Sequence, residues 1–226
     1  MTLKTLTPIE ARVLGTLMEK ARTVPDSYPL SLNALVSGCN QKTSRDPLME
    51  VGDDEARAAI DSLKSQSLVF EGSSSRVPRF EHNFQRAAGV SETQAVVMGL
   101  LMLRGPQTPA ELRTSGERWY KFADAGAVET VLQELQQRGD EGGQALVLKL
   151  PRAPGAREQR WVHLLCGEPD ISALTASAPA ASDAGDVLAR VTALENTVAQ
   201  LKSENAQLQR HIQTISSQLG IDLAAE

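Results

Sequence analysis

IEARVLGTLM at residues 9–18 and TQAVVMGLLM at residues 93–102 are two versions of one segment, 84 positions apart. Ala11/Ala95, Val13/Val97, Gly15/Gly99, Leu17/Leu101 and Met18/Met102 are identical. Each copy follows a helix-start signal. Thr7-Pro8-Ile9-Glu10 is a capping box with proline at the first helical position, and Ser91-Glu92-Thr93-Gln94 is a second box. In such a box the hydroxyl accepts an orphan backbone N–H while the Glu or Gln reaches back to the cap residue. Ile9, Val13, Leu14, Leu17 and Met18 then fall on one helical face.

The repeat continues outward with drift. SLNALVS (31–37) pairs with TPAELRT (108–114), and RAAIDSL (57–63) pairs with ETVLQEL (129–135). After its third helical stretch each copy turns extended. LVFEGSSSRVPRFEH (68–82) reads as strand, Gly/Ser turn, strand; ALVLKLPRAPGAREQRWVHLL (145–165) reads as strand, Pro/Gly loop, strand. Helix, helix, helix and β-hairpin is the order of a winged helix, a helix-turn-helix with a β-hairpin wing. A generic α+β repeat is the alternative. The expected fold class is therefore mainly α with small β-hairpin wings (α+β), as tandem winged-helix domains. The first is placed at 1–88 and the second at 89–166.

Residues 167–183, rich in Ala, Ser and Pro, read as a flexible linker. A heptad pattern follows over 184–220. Val187, Leu194, Leu201, Leu208 and Ile215 take the d positions; Val191, Val198, Asn205, Ile212 and Leu219 take the a positions. Mostly β-branched a residues with mostly Leu at d favour a parallel two-stranded coil, and Asn205 is the expected register device. These ten residues are the expected dimerisation seam, closed by Gly220. A single amphipathic helix packed on the body is the alternative.

The chain has 226 residues with a formal net charge of −5 and only 4% aromatic residues. The charge is not spread evenly. Residues 1–90 carry 11 basic and 11 acidic side chains, 91–166 carry 9 and 9, and 167–226 carry 3 and 8. The body is neutral, so the net charge does not exclude local contact with nucleic acid. The apolar run VVMGLLML (96–103) is far short of the ~20 residues a membrane helix needs. No basic-then-apolar leader opens the chain, and two cysteines cannot build a disulfide framework. A reducing, cytoplasmic location without membrane association is expected.

The sequence carries no GxxxxGK[ST] phosphate loop and no GxGxxG after a strand. His82 and His163 each end the second hairpin strand of their repeat, and His211 sits at a g position of the coil. None lies at metal-ligand spacing from a Cys or carboxylate. Cys39 has Lys42 and Arg45 nearby, which would lower a thiol pKa; a small buried thiol is the better reading. No catalytic residue, metal or cofactor is expected. Trp119-Tyr120-Lys121-Phe122 reads as core or inter-domain packing, with a partner-binding hot spot as the alternative.

The polar stretch Asn40, Gln41, Lys42, Thr43, Ser44 and Arg45 lies between the second and third helices of the first copy. These are the side chains that phosphate and base-edge contacts use. Arg57 on the third helix and Arg76 and Arg79 in the wing would extend the surface. The alternatives are a self-bonded loop and a protein contact. One local feature weighs against DNA. The third helix opens Asp53-Asp54-Glu55, in the turn normally aimed into the major groove.

YPLSLNALVSGCNQKTSRDPLMEV (28–51), with LMLRGPQTPAELR (101–113), closely resembles the YceH family of bacterial proteins. The resemblance runs from residue 6 to about 166, and a coiled-coil tail is typical of that family. It implies tandem winged-helix domains in one body and supplies no catalytic residues to carry over. The expected function is that of a non-enzymatic, dimeric DNA-binding or regulatory protein, with double-stranded DNA as partner and a homodimer through the coil. The alternative is a protein-interaction adapter that uses the winged helices and coil without DNA.

Overall fold

A computed structural model describes residues 3–72, 77–139, 142–153 and 155–169. The heptad segment with its ten seam residues, most of the linker and Arg76 lie outside the described residues.

The first helix, α1 (Pro8–Thr23), starts where the capping box ends. Thr7 Oγ1 accepts from the Glu10 amide, and the Glu10 carboxylate accepts from the Thr7 amide. A two-residue strand β1 (Leu30–Ser31) leads directly into α2 (Leu32–Cys39), capped by Ser31. The third helix, α3 (Asp53–Ser65), follows a long connection. Strands β2 (Val69–Gly72) and β3 (Arg79–His82) form an antiparallel hairpin, and β1 adds to it, giving the order β1-β3-β2. A short helix α4 (Phe84–Ala88) ends at Gly89, whose φ of +61° is the left-handed cap that glycine adopts without strain.

The second copy repeats this order. Its helices are α5 (Glu92–Arg104), α6 (Pro109–Ser115) and α7 (Ala125–Gln137), followed by the antiparallel pair β4 (Val147–Lys149) and β5 (Trp161–His163). The place of β1 is held by a single bridge. Gln107 exchanges both backbone hydrogen bonds with Trp161, as Leu30 pairs with Phe80 in the first copy. The chain is thus a mixed α/β protein with small antiparallel sheets.

Helices α1 and α5 run antiparallel to each other. Arg22 near the end of α1 pairs with Glu92 at the start of α5 at 2.8 Å, and Gly15 faces Leu103. Residues 10–19 of α1 and 95–103 of α5 are buried without a break. A helix buried all round has neighbours on every side. Here each helix packs on its own repeat and on the other. The repeat-equivalent glycines make the approach possible. A Cβ at Gly15 would lie 3.0 Å from Leu103 Cγ, and one at Gly99 would lie 2.6 Å from Trp119 Cζ3.

Candidate functional site

The connection between α2 and α3 is polar in sequence yet tied down along its length. Asn40 uses its whole amide on Val51: Nδ2 donates to the Val51 carbonyl at 2.9 Å, and Oδ1 accepts from the Val51 amide at 2.8 Å. Arg12 of α1, 1% exposed, donates to the carbonyls of Cys39 (3.1 Å) and Pro47 (2.6 Å). Burial lowers its affinity for the proton, and the neighbouring Arg45 adds to the effect. The Asp46 amide donates to the Leu103 carbonyl, which fastens the loop to α5 at 2.8 Å.

Arg45 is the centre of this network. It is 6% exposed and turns inward. Its Nη1 and Nη2 donate to the two carboxylate oxygens of Glu19 at 3.2 and 2.5 Å, and Nε and Nη2 both donate to the Gly38 carbonyl. Burial pushes the Glu19 carboxyl up, but the hydrogen bonds and charge of Arg45 outweigh it and leave Glu19 below its usual value. A phosphate could reach Arg45 only by displacing Glu19.

The other sequence-chosen residues divide. Gln41 accepts from Lys20 Nζ at 3.3 Å. Ser44, at a φ of +62°, accepts from Arg104 Nη2 at 2.8 Å. Lys42 and Thr43 are exposed. Arg57 is exposed on α3, and Arg79 is exposed on β3, where Nη1 donates to the Pro29 carbonyl. The structure gathers Lys42, Thr43 and Ser44 at one cleft; Arg57 and Arg79 line no part of it.

That cleft, about 380 Å³, lies between the repeats. One wall is the 41–44 loop with the end of α1; the other is Arg104 with Ser115, Arg118 and Trp119 after α6. It continues into a wider groove of about 930 Å³ that shares Ser44, Arg104, Ser115 and Arg118. Lys20, Arg104 and Arg118 did not emerge from the sequence reading. They meet the 41–44 loop only in the fold, where the Asp46 amide donates to the Leu103 carbonyl next to Arg104.

The outward face of α3 is acidic. Asp53, Asp54, Glu55 and Asp61 are exposed, against Arg57; Lys64 pairs with Glu71. On the adjoining hairpin Phe70 is 45% exposed. In the second repeat Trp119 and Phe122 are buried, with Tyr120 tilted over Phe122 at 4.9 Å between ring centroids.

The nucleophile and base candidates are dry. Cys39 is fully buried against Thr16, with its thiol pushed up by burial. His82 and His163 have buried Nδ1 atoms without a hydrogen-bond partner, and desolvation lowers both from 6.5 to about 4. Among the described residues no group of three or more His, Cys, Asp or Glu side chains could hold a metal ion. Among the same residues no helix is long and apolar enough to cross a membrane.

A family model described as "Protein of unknown function, DUF480" matches residues 6–156. A "UPF0502 protein" from Polaromonas sp. (strain JS666) is 82% identical over 223 residues, covering 99% of this chain and 94% of the relative. The "UPF0502 protein" of Polaromonas naphthalenivorans is 72% identical over 166 residues, covering 74% of this chain and 76% of its own length. That of Delftia acidovorans is 55% identical over 217 residues, covering 96% and 93%. The chain belongs to the DUF480 (UPF0502) family, the YceH family that its 28–51 and 101–113 segments resemble.

Proposed function

We propose that the chain works by binding rather than catalysis, as a tandem winged-helix adapter that pairs with a second copy through a C-terminal coiled coil. Its macromolecular partner is a protein with a basic surface, met by the exposed face of α3. The carrying observation is that face itself, with Asp53, Asp54, Glu55 and Asp61 outward and Arg57 the one exposed counter-charge among the described residues of the helix. In a winged helix this element enters the major groove, where those carboxylates would repel phosphate. The winged-helix assignment is supported by the order of helices and hairpin in both repeats and by the third strand at Leu30–Ser31, echoed by the Gln107–Trp161 bridge. The binding reading is supported by the buried Cys39 thiol and by the half-buried His82 and His163, whose Nδ1 atoms are shut off from water.

DNA contact is the second reading, favoured by one observation. Lys42 and Arg118 are exposed cations with no carboxylate partner among the described residues. A capture experiment from nuclease-treated lysate decides for the adapter if wild type retains a specific protein that Asp53→Lys/Asp54→Lys/Glu55→Lys releases. Retention unchanged by the triple substitution contradicts it.

A further inference from the structure

We propose that the narrow cleft between the repeats is a binding site for a small phosphorylated molecule, whose dianionic phosphate monoester seats between Arg104 and Arg118. The cleft is lined by Lys20, Lys42, Arg104 and Arg118 against a single carboxylate, Glu19. That carboxylate is already committed: both of its oxygens accept from Arg45, and one lies 3.1 Å from Lys20 Nζ. Positive charge is therefore in excess where the two walls face each other.

Arg104 is the strongest pointer. It is the last residue of α5 and half-buried, and its one hydrogen-bond acceptor among the described residues is the neutral hydroxyl of Ser44 at 2.8 Å. A guanidinium that gives up hydration for one neutral hydrogen bond is under-compensated, and a bidentate oxyanion is the partner its planar fork fits. Burial holds its proton affinity below the ordinary value, with the charge of Glu19 offsetting this only in part and Arg45 adding to it. Arg118, exposed on the same wall, supplies a second fork without an ion-pair partner among the described residues. The hydroxyls of Thr43 and Ser44 line the same space and can donate to phosphate oxygens, whereas the Ser115 O–H already donates to Gln107 Oε1 at 3.0 Å.

The volume suits a small molecule. A cleft of about 380 Å³ is within the range of ligand pockets. The adjoining groove adds Asp46, Glu111 and Glu117 beside Arg45 and Arg160, and Glu111 is paired with Arg160 at 2.6 Å. Asp46 and Glu117, without an ion-pair partner among the described residues, would repel a second phosphate and suit a hydroxyl-bearing remainder. A sugar-phosphate chemistry follows: the phosphate at Arg104 and Arg118, the polyol toward Asp46 and Glu117. The site is recessed between two walls, whereas a duplex backbone needs an open or convex surface.

The test uses the full chain with ribose 5-phosphate, ribose, inorganic phosphate and a short DNA duplex as probes. The readout is the indole N–H resonances of the two tryptophans. Trp119 lines the cleft and Trp161 does not. Ribose 5-phosphate should shift Trp119 saturably and leave Trp161 unmoved; inorganic phosphate should compete and ribose should do nothing. Arg104→Gln and Arg118→Ala should each weaken binding at least about tenfold. Arg118 is exposed, so its variant decides the matter if Arg104→Gln fails to fold. No saturable shift up to about 10 mM ribose 5-phosphate overturns the proposal. So does equal binding of ribose, unchanged affinity in Arg118→Ala, or a Trp119 shift produced by the duplex alone.

Discussion

The two repeats fill the same place in two different ways. Aligned at the 84-residue offset, Arg12, Thr16 and Glu19 of α1 stand where α5 has Val96, Leu100 and Leu103. All six are buried. The connection that packs there differs to match. In the first repeat Arg45 brings a guanidinium to Glu19, and Arg12 holds loop carbonyls. In the second repeat Trp119 and Phe122 bring apolar surface to an apolar helix. A loop too polar to bury by the hydrophobic effect is held by satisfying its carbonyls, while the aromatic loop is held by removing area from water. Of the polar side chains of the first loop, Asn40, Gln41, Ser44 and Arg45 are engaged within the protein, while Lys42 and Thr43 stay exposed.

Removing one partner of the polar arrangement should have the largest effect. Arg45→Met leaves Glu19 buried with only Lys20 beside it and should cost about 3 kcal/mol in urea unfolding. Adding Glu19→Leu, which copies the second repeat's solution, should recover most of that loss. A double variant as unstable as the single one would break the comparison.

The repeats should agree in their response to acid. His82 and His163 occupy equivalent strand ends, and each is lowered from 6.5 to about 4 in the folded state. The unfolded chain therefore binds more protons between these values. Their contribution to stability is present above about pH 6.5 and is lost as the pH falls toward 4. With both sites contributing, the slope is about 2–3 kcal/mol per pH unit. His82→Leu and His163→Leu should each remove about half of it, read from urea midpoints across that window.

The seam should be less forgiving on the second repeat's side. Gly99→Ala pushes a Cβ to 2.6 Å from a rigid indole ring and should cost about 1–3 kcal/mol. Gly15→Ala meets the more adaptable Leu103 side chain at 3.0 Å and should cost less, by thermal unfolding. The smallest effect belongs to Lys42→Ala, exposed and unpaired, which should leave stability within about 0.5 kcal/mol.

Much of this architecture was legible in the sequence, because capping boxes and apolar periodicity act locally. Thr7 and Ser91 cap their helices as their spacing predicts. The shared Gly15/Gly99 and Met18/Met102 meet across the seam: a Cβ at Gly15 would lie 3.3 Å from Met102 Cβ, and one at Gly99 3.4 Å from Met18 Cε. What stayed hidden depends on distant partners. Nothing within the 40–45 stretch says that Arg45 will turn toward Glu19, 26 positions back. The two-residue strand β1 has no periodicity to read, and the cleft exists only once Arg104 and Arg118 face the loop from the other repeat.

The proposed partner of the acidic α3 face is a protein rather than DNA. Fluorescence anisotropy of a labelled duplex at low salt tests it most directly, with wild type beside Asp53→Lys/Asp54→Lys/Glu55→Lys. Wild type should show no saturable binding at protein concentrations up to about 10 µM, and the lysine variant should gain binding that falls steeply with added salt. Wild-type binding below about 1 µM, with a steep inverse salt dependence that Arg57→Ala relaxes, would contradict the account.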